Sequence, residues 1–288
     1  MRLAEIERQV GSMEELMRIV GAMRVMASVR MQEAAHALDG VRDYGEALLE
    51  GVREALAIAL EQAPRSSQPG RAERTAARQG RCVRIVFLSE HGFVGGFNER
   101  LIEAVHSRFA AADAVWALGS RGAALLEERG RPADWTRPMA TRLASLPELV
   151  RELQSELYAR LARGDVPRAE VLFGQYERSG AVAVVHRALF PLEVPPRGDP
   201  GARFPPLHNL PAPELLERLT SEYLIAQLTE AATESLAAEN AARFAAMASA
   251  HDNVARKLET LRLDVSSARQ EEITTELLDL VTGTRALR

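Results

Sequence analysis

The sequence predicts an α/β protein in which a long antiparallel coiled coil of the N- and C-terminal helices carries an inserted α/β domain. Three observations predict it. All 14 prolines fall between Pro64 and Pro213, so both ends lack the residue that most strongly breaks helices. Both ends repeat apolar residues in alternating steps of three and four. Between them, short β-rich runs alternate with helical runs, the pattern of a sheet with crossover helices. The boundaries that follow are an N-terminal coiled-coil helix over 1–63, a linker over 64–80, an α/β domain over 81–212 and a C-terminal coiled-coil helix over 213–288.

In the first segment the apolar seam runs Leu3, Ile6, Val10, Met13, Met17, Val20, then Ala27, Met31, Ala34, Leu38 and Val41, with Leu48 after Gly45. A 3.5-residue repeat of this kind makes two helices wind around one another. Arg24 stands where the seam should continue, between Met23 and Met26. Gly11, Gly21 and Gly40 each cost about 1 kcal/mol in a helix interior, so this helix needs a partner.

The linker is rich in Arg, Ser, Gln and Pro and reads as a solvated loop; its arginines lack the interleaved aromatics of a nucleic-acid surface. The inserted domain opens with a strand at Val83–Leu88, a glycine turn and a helix from about Asn98 to Ala112. A strand at Ala114–Leu118, a second glycine turn and a helix over Arg121–Glu128 follow. After Pro147 come a helix to about Ala162 and strands at Ala169–Gln175 and Ala181–Leu189. The order is β-α-β-α-(α)-β-β, a parallel sheet with an antiparallel edge. Pro191 to Pro213 is too proline-rich to be more than a connecting loop.

The last segment repeats the seam as Phe244, Met247, His251, Val254, Leu258, Leu261, Val265 and Ala268, with Leu216, Leu219, Tyr223 and Leu228 extending an apolar face upstream. A helix from Pro213 to Ala286 would be on the order of 110 Å long, beyond the span of a compact domain of this size. Two such helices satisfy each other most simply by antiparallel pairing, with exposed residues of the C-terminal helix left to meet another protein.

The 288 residues carry a formal charge of −4, which gives no general attraction to nucleic acid or an anionic membrane. A single cysteine, Cys82, excludes an intramolecular disulfide and a Cys-based zinc site and fits a reducing compartment. No run of about 18 apolar residues is available to cross a bilayer, and Met1–Val10 is amphipathic and unlike a signal peptide. Any membrane association is expected through a partner. Lys257 is the only lysine.

Several motifs invite chemistry. His91–Asn98, HGFVGGFN, lies between a strand and a helix where phosphate loops sit. It lacks the G-x-G-x-x-G spacing, and no Gly-Lys-Ser/Thr exists, so a structural βα turn is the stronger reading and nucleotide binding the weaker. Ser89 and His91 are near in sequence, which does not make a nucleophile and base. His251 reads as a polar interruption that sets register on the seam, or as a pH-sensitive element. Glu271, Glu272 and Glu276 read as a solvated or partner-facing surface, Glu272 and Glu276 sharing a face. No cofactor and no metal is expected.

Three stretches, Ile19–Ala34, Ser89–Asn98 and Glu239–Asn253 with Ala268–Leu287, carry polar identities as well as periodicity. With them the chain resembles, end to end, the gamma subunit of F-type ATP synthases. The resemblance implies a Rossmann-like inserted domain near the membrane ring and a coiled coil inside a hexamer of alpha and beta subunits. It implies a central rotor shaft that couples ion flow to the nucleotide sites and has no catalytic site of its own. The partners so implied are alpha, beta and epsilon subunits and a ring of c subunits, on the cytoplasmic face of a bacterial inner membrane. It also implies that Met23, with Arg24 beside it, meets the catalytic subunits, and that Arg243, Gln270, Thr274 and Glu276 serve coupling between the helices and contact with the hexamer.

Met17-Arg18-Ile19-Val20-Gly21 replaces the family's basic, threonine-containing stretch, and Val94 stands where the family usually has cysteine. These departures, with the scarcity of lysine, imply a divergent branch, alternative bacterial F-type ATPases that pump ions being one reading. The competing readings of the residues are a nucleotide-binding enzyme with helical arms and a coiled-coil tether without a motor.

Overall fold

The computed structural model describes residues 2–62, 81–163, 167–177, 182–192, 194 and 207–286. The predicted linker and most of the proline-rich segment before Pro213 lie outside them. The elements in order are α1 (Arg2–Gln62), β1 (Cys82–Phe87), α2 (Phe97–Arg108), β2 (Ala114–Leu118), α3 (Ser120–Glu128) and β3 (Trp135–Arg137). A 3₁₀ turn (Leu143–Ser145), α4 (Leu146–Ala162), β4 (Arg168–Tyr176), β5 (Val182–Phe190) and α5 (Ala212–Ala286) follow. The chain divides into two compact units, residues 28–242 and residues 1–27 with 243–288.

In the first unit the strands form one sheet in the order β3-β2-β1-β4-β5. All neighbours are parallel except the β4–β5 pair, which makes β5 the antiparallel edge expected from sequence. Alternation along β1 sends Val83, Ile85 and Phe87 into one core, with α4 and the Leu224–Ala237 stretch of α5, and sends Val86 into another, with α2 and Leu126 of α3. Trp116, Phe87, Phe97 and Phe173 are fully buried, each a contribution of about 1.5–3 kcal/mol relative to exposure.

The sequence reading missed β3. Its three residues are too few for a periodic signal, and what holds it is tertiary: Trp135 packs on Trp116 at 5.0 Å between ring centroids, and the Arg137 guanidinium lies over Trp135. The first helix of the domain also ends earlier than expected, at Arg108, because Phe109 turns to extended backbone and buries itself.

Within this unit α1 and α5 run antiparallel. Arg42 meets Glu234, a Cβ on Gly45 would lie 4.0 Å from the Ala226 methyl, and one on Gly51 would lie 3.5 Å from Leu219. Residues 231–241 of α5 are buried on every side. A helix that is covered all round needs small or well-paired residues, and this stretch supplies alanines, Thr233, Ser235 and charges with partners.

The second unit is helical. Glu14 pairs with Arg262 at 2.8 Å and Glu7 with Arg269 at 2.7 Å, so one heptad on α1 matches one heptad on α5 in the opposite direction. Val20, Ala27, Met247, Val254, Leu258 and Leu261 are buried on the seam, and Leu3, Ile6, Val10, Met13 and Met17 are half-buried. One seam position needs correction: Phe244 is 37% exposed, and its neighbour Arg243, at 8%, is the buried residue there.

Candidate functional surface

The glycine loop is closed by packing. The Ser89 amide donates to Asn98 Oδ1 at 3.0 Å, and Asn98 Nδ2 donates to Ser89 Oγ at 2.7 Å. Asn98, the second residue of α2, therefore points back into the protein. The next crossover presses on the same place. A Cβ on Gly122 would lie 2.3 Å from Leu88 Cβ and 2.9 Å from Asn98 Oδ1, and Gly119, at φ +116°, would put one 2.3 Å from the Leu88 carbonyl oxygen. Only glycine fits either position. Ser89 is fully buried in this clasp while His91 is exposed, so the two do not form a nucleophile and base. The geometry supports the structural turn.

Glu90 fastens the turn to its neighbours. Its carboxylate accepts hydrogen bonds from the Ser120 amide (2.9 Å), the Ser120 hydroxyl (2.8 Å) and the Met139 amide (2.8 Å). Partial burial pushes the carboxyl up, but these bonds and nearby His91 outweigh it and hold Glu90 below the usual glutamate value. It also sits at the N-terminus of α3, where a negative charge is favoured. At the tip of the loop Phe93 is 68% exposed on backbone at φ +62°.

A second polar cluster lies across the starts of β1 and β4. Arg84 pairs with Asp113 at 2.9 Å and contacts Glu170; Glu170 also accepts from Arg168 at 2.6 Å and touches His186. Burial and the guanidinium groups of Arg84, Arg108 and Arg168 hold the His186 imidazole below its ordinary value. The cluster was legible as a charge inside each of two apolar strands, Arg84 in β1 and Glu170 in β4, and the sequence reading passed over both. Cys82 is buried, and burial pushes its thiol up, which makes it a poor nucleophile. Among the described residues no group of three His, Cys, Asp or Glu side chains could hold a metal, and no helix is long and apolar enough to cross a membrane.

The six residues singled out for partner contact all fall in the helical unit, spread along its length and not gathered at one place. Met23 and Arg24 are half-buried beside the seam, and Arg243 is buried. Gln270, Thr274 and Glu276 are exposed, with the Thr274 hydroxyl donating to the Gln270 carbonyl oxygen at 2.7 Å. Glu271 and Glu272 are exposed as well. His251 is half-buried, and its Nδ1 lacks a hydrogen-bond partner. The same unit exposes apolar residues. Leu16, Ile19, Val25, Leu263, Ile273 and Leu277 keep between 40% and 65% of their surface.

The family model described as ATP synthase matches residues 2–287. The ATP synthase gamma chain of Flavobacterium johnsoniae is 26% identical over 99% of this chain and 98% of its own, and that of Anaeromyxobacter sp. is 27% identical over 99% of each. Among solved structures, a chain of the central stalk and c-ring of Tetrahymena thermophila mitochondrial ATP synthase has a TM-score of 0.53 at 13% identity, over 81% of this chain and 99% of its own. A chain of Euglena gracilis mitochondrial ATP synthase has the same TM-score at 12% identity, over 93% and 95%. These structural likenesses concern the fold.

Proposed function

Since the chain belongs to the ATP synthase gamma-chain family, we propose that it is the central rotor shaft of a rotary F-type ATPase, coupling ion flow through a membrane ring to conformational change in a hexamer of alpha and beta subunits. The observation that carries this reading is the helical unit, which is sealed along one seam and leaves apolar side chains uncovered elsewhere on its surface. A shaft inside a hexamer needs such a surface: an asymmetric helix pair that turns presents a different face to each catalytic subunit, and only differential contacts shift their states. The shaft performs no bond chemistry. The working parts are an N-terminal helix over 1–63, a linker over 64–80, an α/β domain over 81–212 and a C-terminal helix over 213–288. Epsilon and the c ring are the further partners, and the complex holds the chain at the cytoplasmic face of a bacterial inner membrane.

Met23, Arg24, Arg243, Gln270, Thr274 and Glu276 tune torque transfer. Affinity capture of the tagged chain from its own membranes, with partner identification and an ATPase assay, tests the shaft reading. Catalytic and ring subunits are expected in the eluate; a solitary chain that is stabilised by nucleotide would replace this reading with an enzyme. In the assembled complex, Arg243→Ala with Gln270→Ala is expected to lower ATP-driven pumping, and unchanged pumping removes those residues from the coupling path.

A further inference from the structure

The stretch of α5 that crosses the sheet unit buries small residues beside Leu228 and Leu236. Ala231, Ala232, Ala237 and Ala238 are buried, and Gly174 of β4 brings the helix so near that a Cβ there would lie 3.3 Å from Ala238 Cβ. The small side chains allow close approach but offer few ridges to lock into grooves, which leaves part of the resistance to rotation to directional contacts. One polar cluster supplies them.

Glu230 and Glu234 stand one turn apart on the same face of α5. Arg187 of β5 grips Glu230 with hydrogen bonds of 2.7 and 3.2 Å. Gln175 of β4 donates to Glu234 at 3.0 Å. Arg42 of α1 reaches both carboxylates, 3.6 Å from Glu230 and directly hydrogen-bonded to Glu234. Three elements therefore converge on two carboxylates of a fourth. The Glu234 side chain is 3% exposed, and a carboxylate so placed is costly once its cation is removed. A guanidinium fork bound to a carboxylate fixes direction as well as distance. Turning α5 by about 20° would move a carboxylate about 5 Å from the helix axis by about 2 Å, enough to break these bonds.

We propose that Glu230 and Glu234, held by Arg42, Arg187 and Gln175, form a torsional key that sets the rotation of α5 against the sheet and against α1, and so carries torque between the sheet and the two helices. The proposal rests on the shaft reading. Its test uses the whole complex in its own membranes, measuring ATP hydrolysis and ATP-driven ion transport together. Arg187→Gln is expected to keep assembly and hydrolysis while ions moved per ATP fall about threefold or more, with a larger loss against an opposing gradient. The reversed pair, Arg187→Glu with Glu230→Arg, made together with Arg42→Gln so that the new guanidinium does not face Arg42, is expected to recover most of the loss. Arg42→Gln removes a partly exposed partner and reads the same ratio if Arg187→Gln complexes do not assemble.

Wild-type transport per ATP in both neutralised variants would overturn the key. So would a loss in Arg187→Gln that the reversed pair leaves in full, since that would place the effect in local unfolding. Failure of the shaft reading looks different: the unmodified chain would then not co-purify with a transporting complex at all.

Discussion

In the sheet unit Trp116, Phe97 and Phe87 are fully buried, whereas in the unit formed by residues 1–27 and 243–288 Leu263, Ile273 and Leu277 each keep more than half of their surface. The apolar content of the two sequences does not explain the difference. A sheet covered on both faces closes its cores with its own helices, while two paired helices bury one seam and leave the rest of each circumference to water or to another chain. The sheet unit encloses two apolar cores, although Phe93 stays exposed at its loop tip. The helical unit buries apolar side chains along its seam, and the shaft reading makes its uncovered face half of an interface.

Core deletions are expected to separate the two units most strongly. Phe97→Ala empties a site where the ring lies against the backbone of Gly174, and it is expected to cost about 3–5 kcal/mol in denaturant unfolding of the full chain. Leu258→Ala on the helical seam is expected to cost about 2 kcal/mol, because a two-helix seam collapses around a void more readily than a three-layer core. Equal costs would mean that the helical unit is as tightly specified as the sheet unit, and the reading of it as half an interface would fail.

A smaller effect separates a polar anchor of the sheet unit from its apolar cores. Glu90 has its folded pKa lowered, so its contribution is present above the unfolded glutamate value and is lost as pH falls through the folded one. Glu90→Gln is therefore expected to lower stability by about 1–2 kcal/mol at neutral pH, on three lost or weakened charge-assisted bonds. The difference from the unmodified chain should shrink as pH falls below about 4.5. A difference that stays constant with pH would show that shape, and not charge, fixes the glycine turn.

The sequence carried the two long helices, the seam and the parallel sheet with its antiparallel edge, because these depend on periodicity and on where proline is absent. It carried the glycine turn as a structural feature without showing why, since the clash of Gly122 with Leu88 joins positions far apart in the chain. β3 was silent for a related reason: Trp135 is strand only because Trp116 is there to receive it. The charged clusters were half visible. Arg84 and Glu170 could be seen as charges inside apolar strands, and Glu230 and Glu234 as carboxylates one turn apart, but the arginines that pair them come from other elements. Phe244 shows the limit of reading a seam by period alone. The step of three and four places it inside, yet the structure buries Arg243 in its stead.

The smallest expected effect concerns the ion pairs that flank the helical seam. Arg262 with Glu14 and Arg269 with Glu7 have good distances, but every side chain in them keeps 44% or more of its surface. Exposed pairs of this kind are worth about 0–1 kcal/mol, because water screens the attraction and ordering two long side chains offsets it. They repeat at the heptad spacing, so their office is to favour one register over a slip of the helices. Arg262→Ala with Arg269→Ala is therefore expected to change unfolding of the isolated chain by less than about 1 kcal/mol, with little dependence on salt. A loss well above that, removed by high salt, would mean that charge and not the apolar seam holds the helical unit together, and the contrast with the sheet unit would then be one of electrostatics.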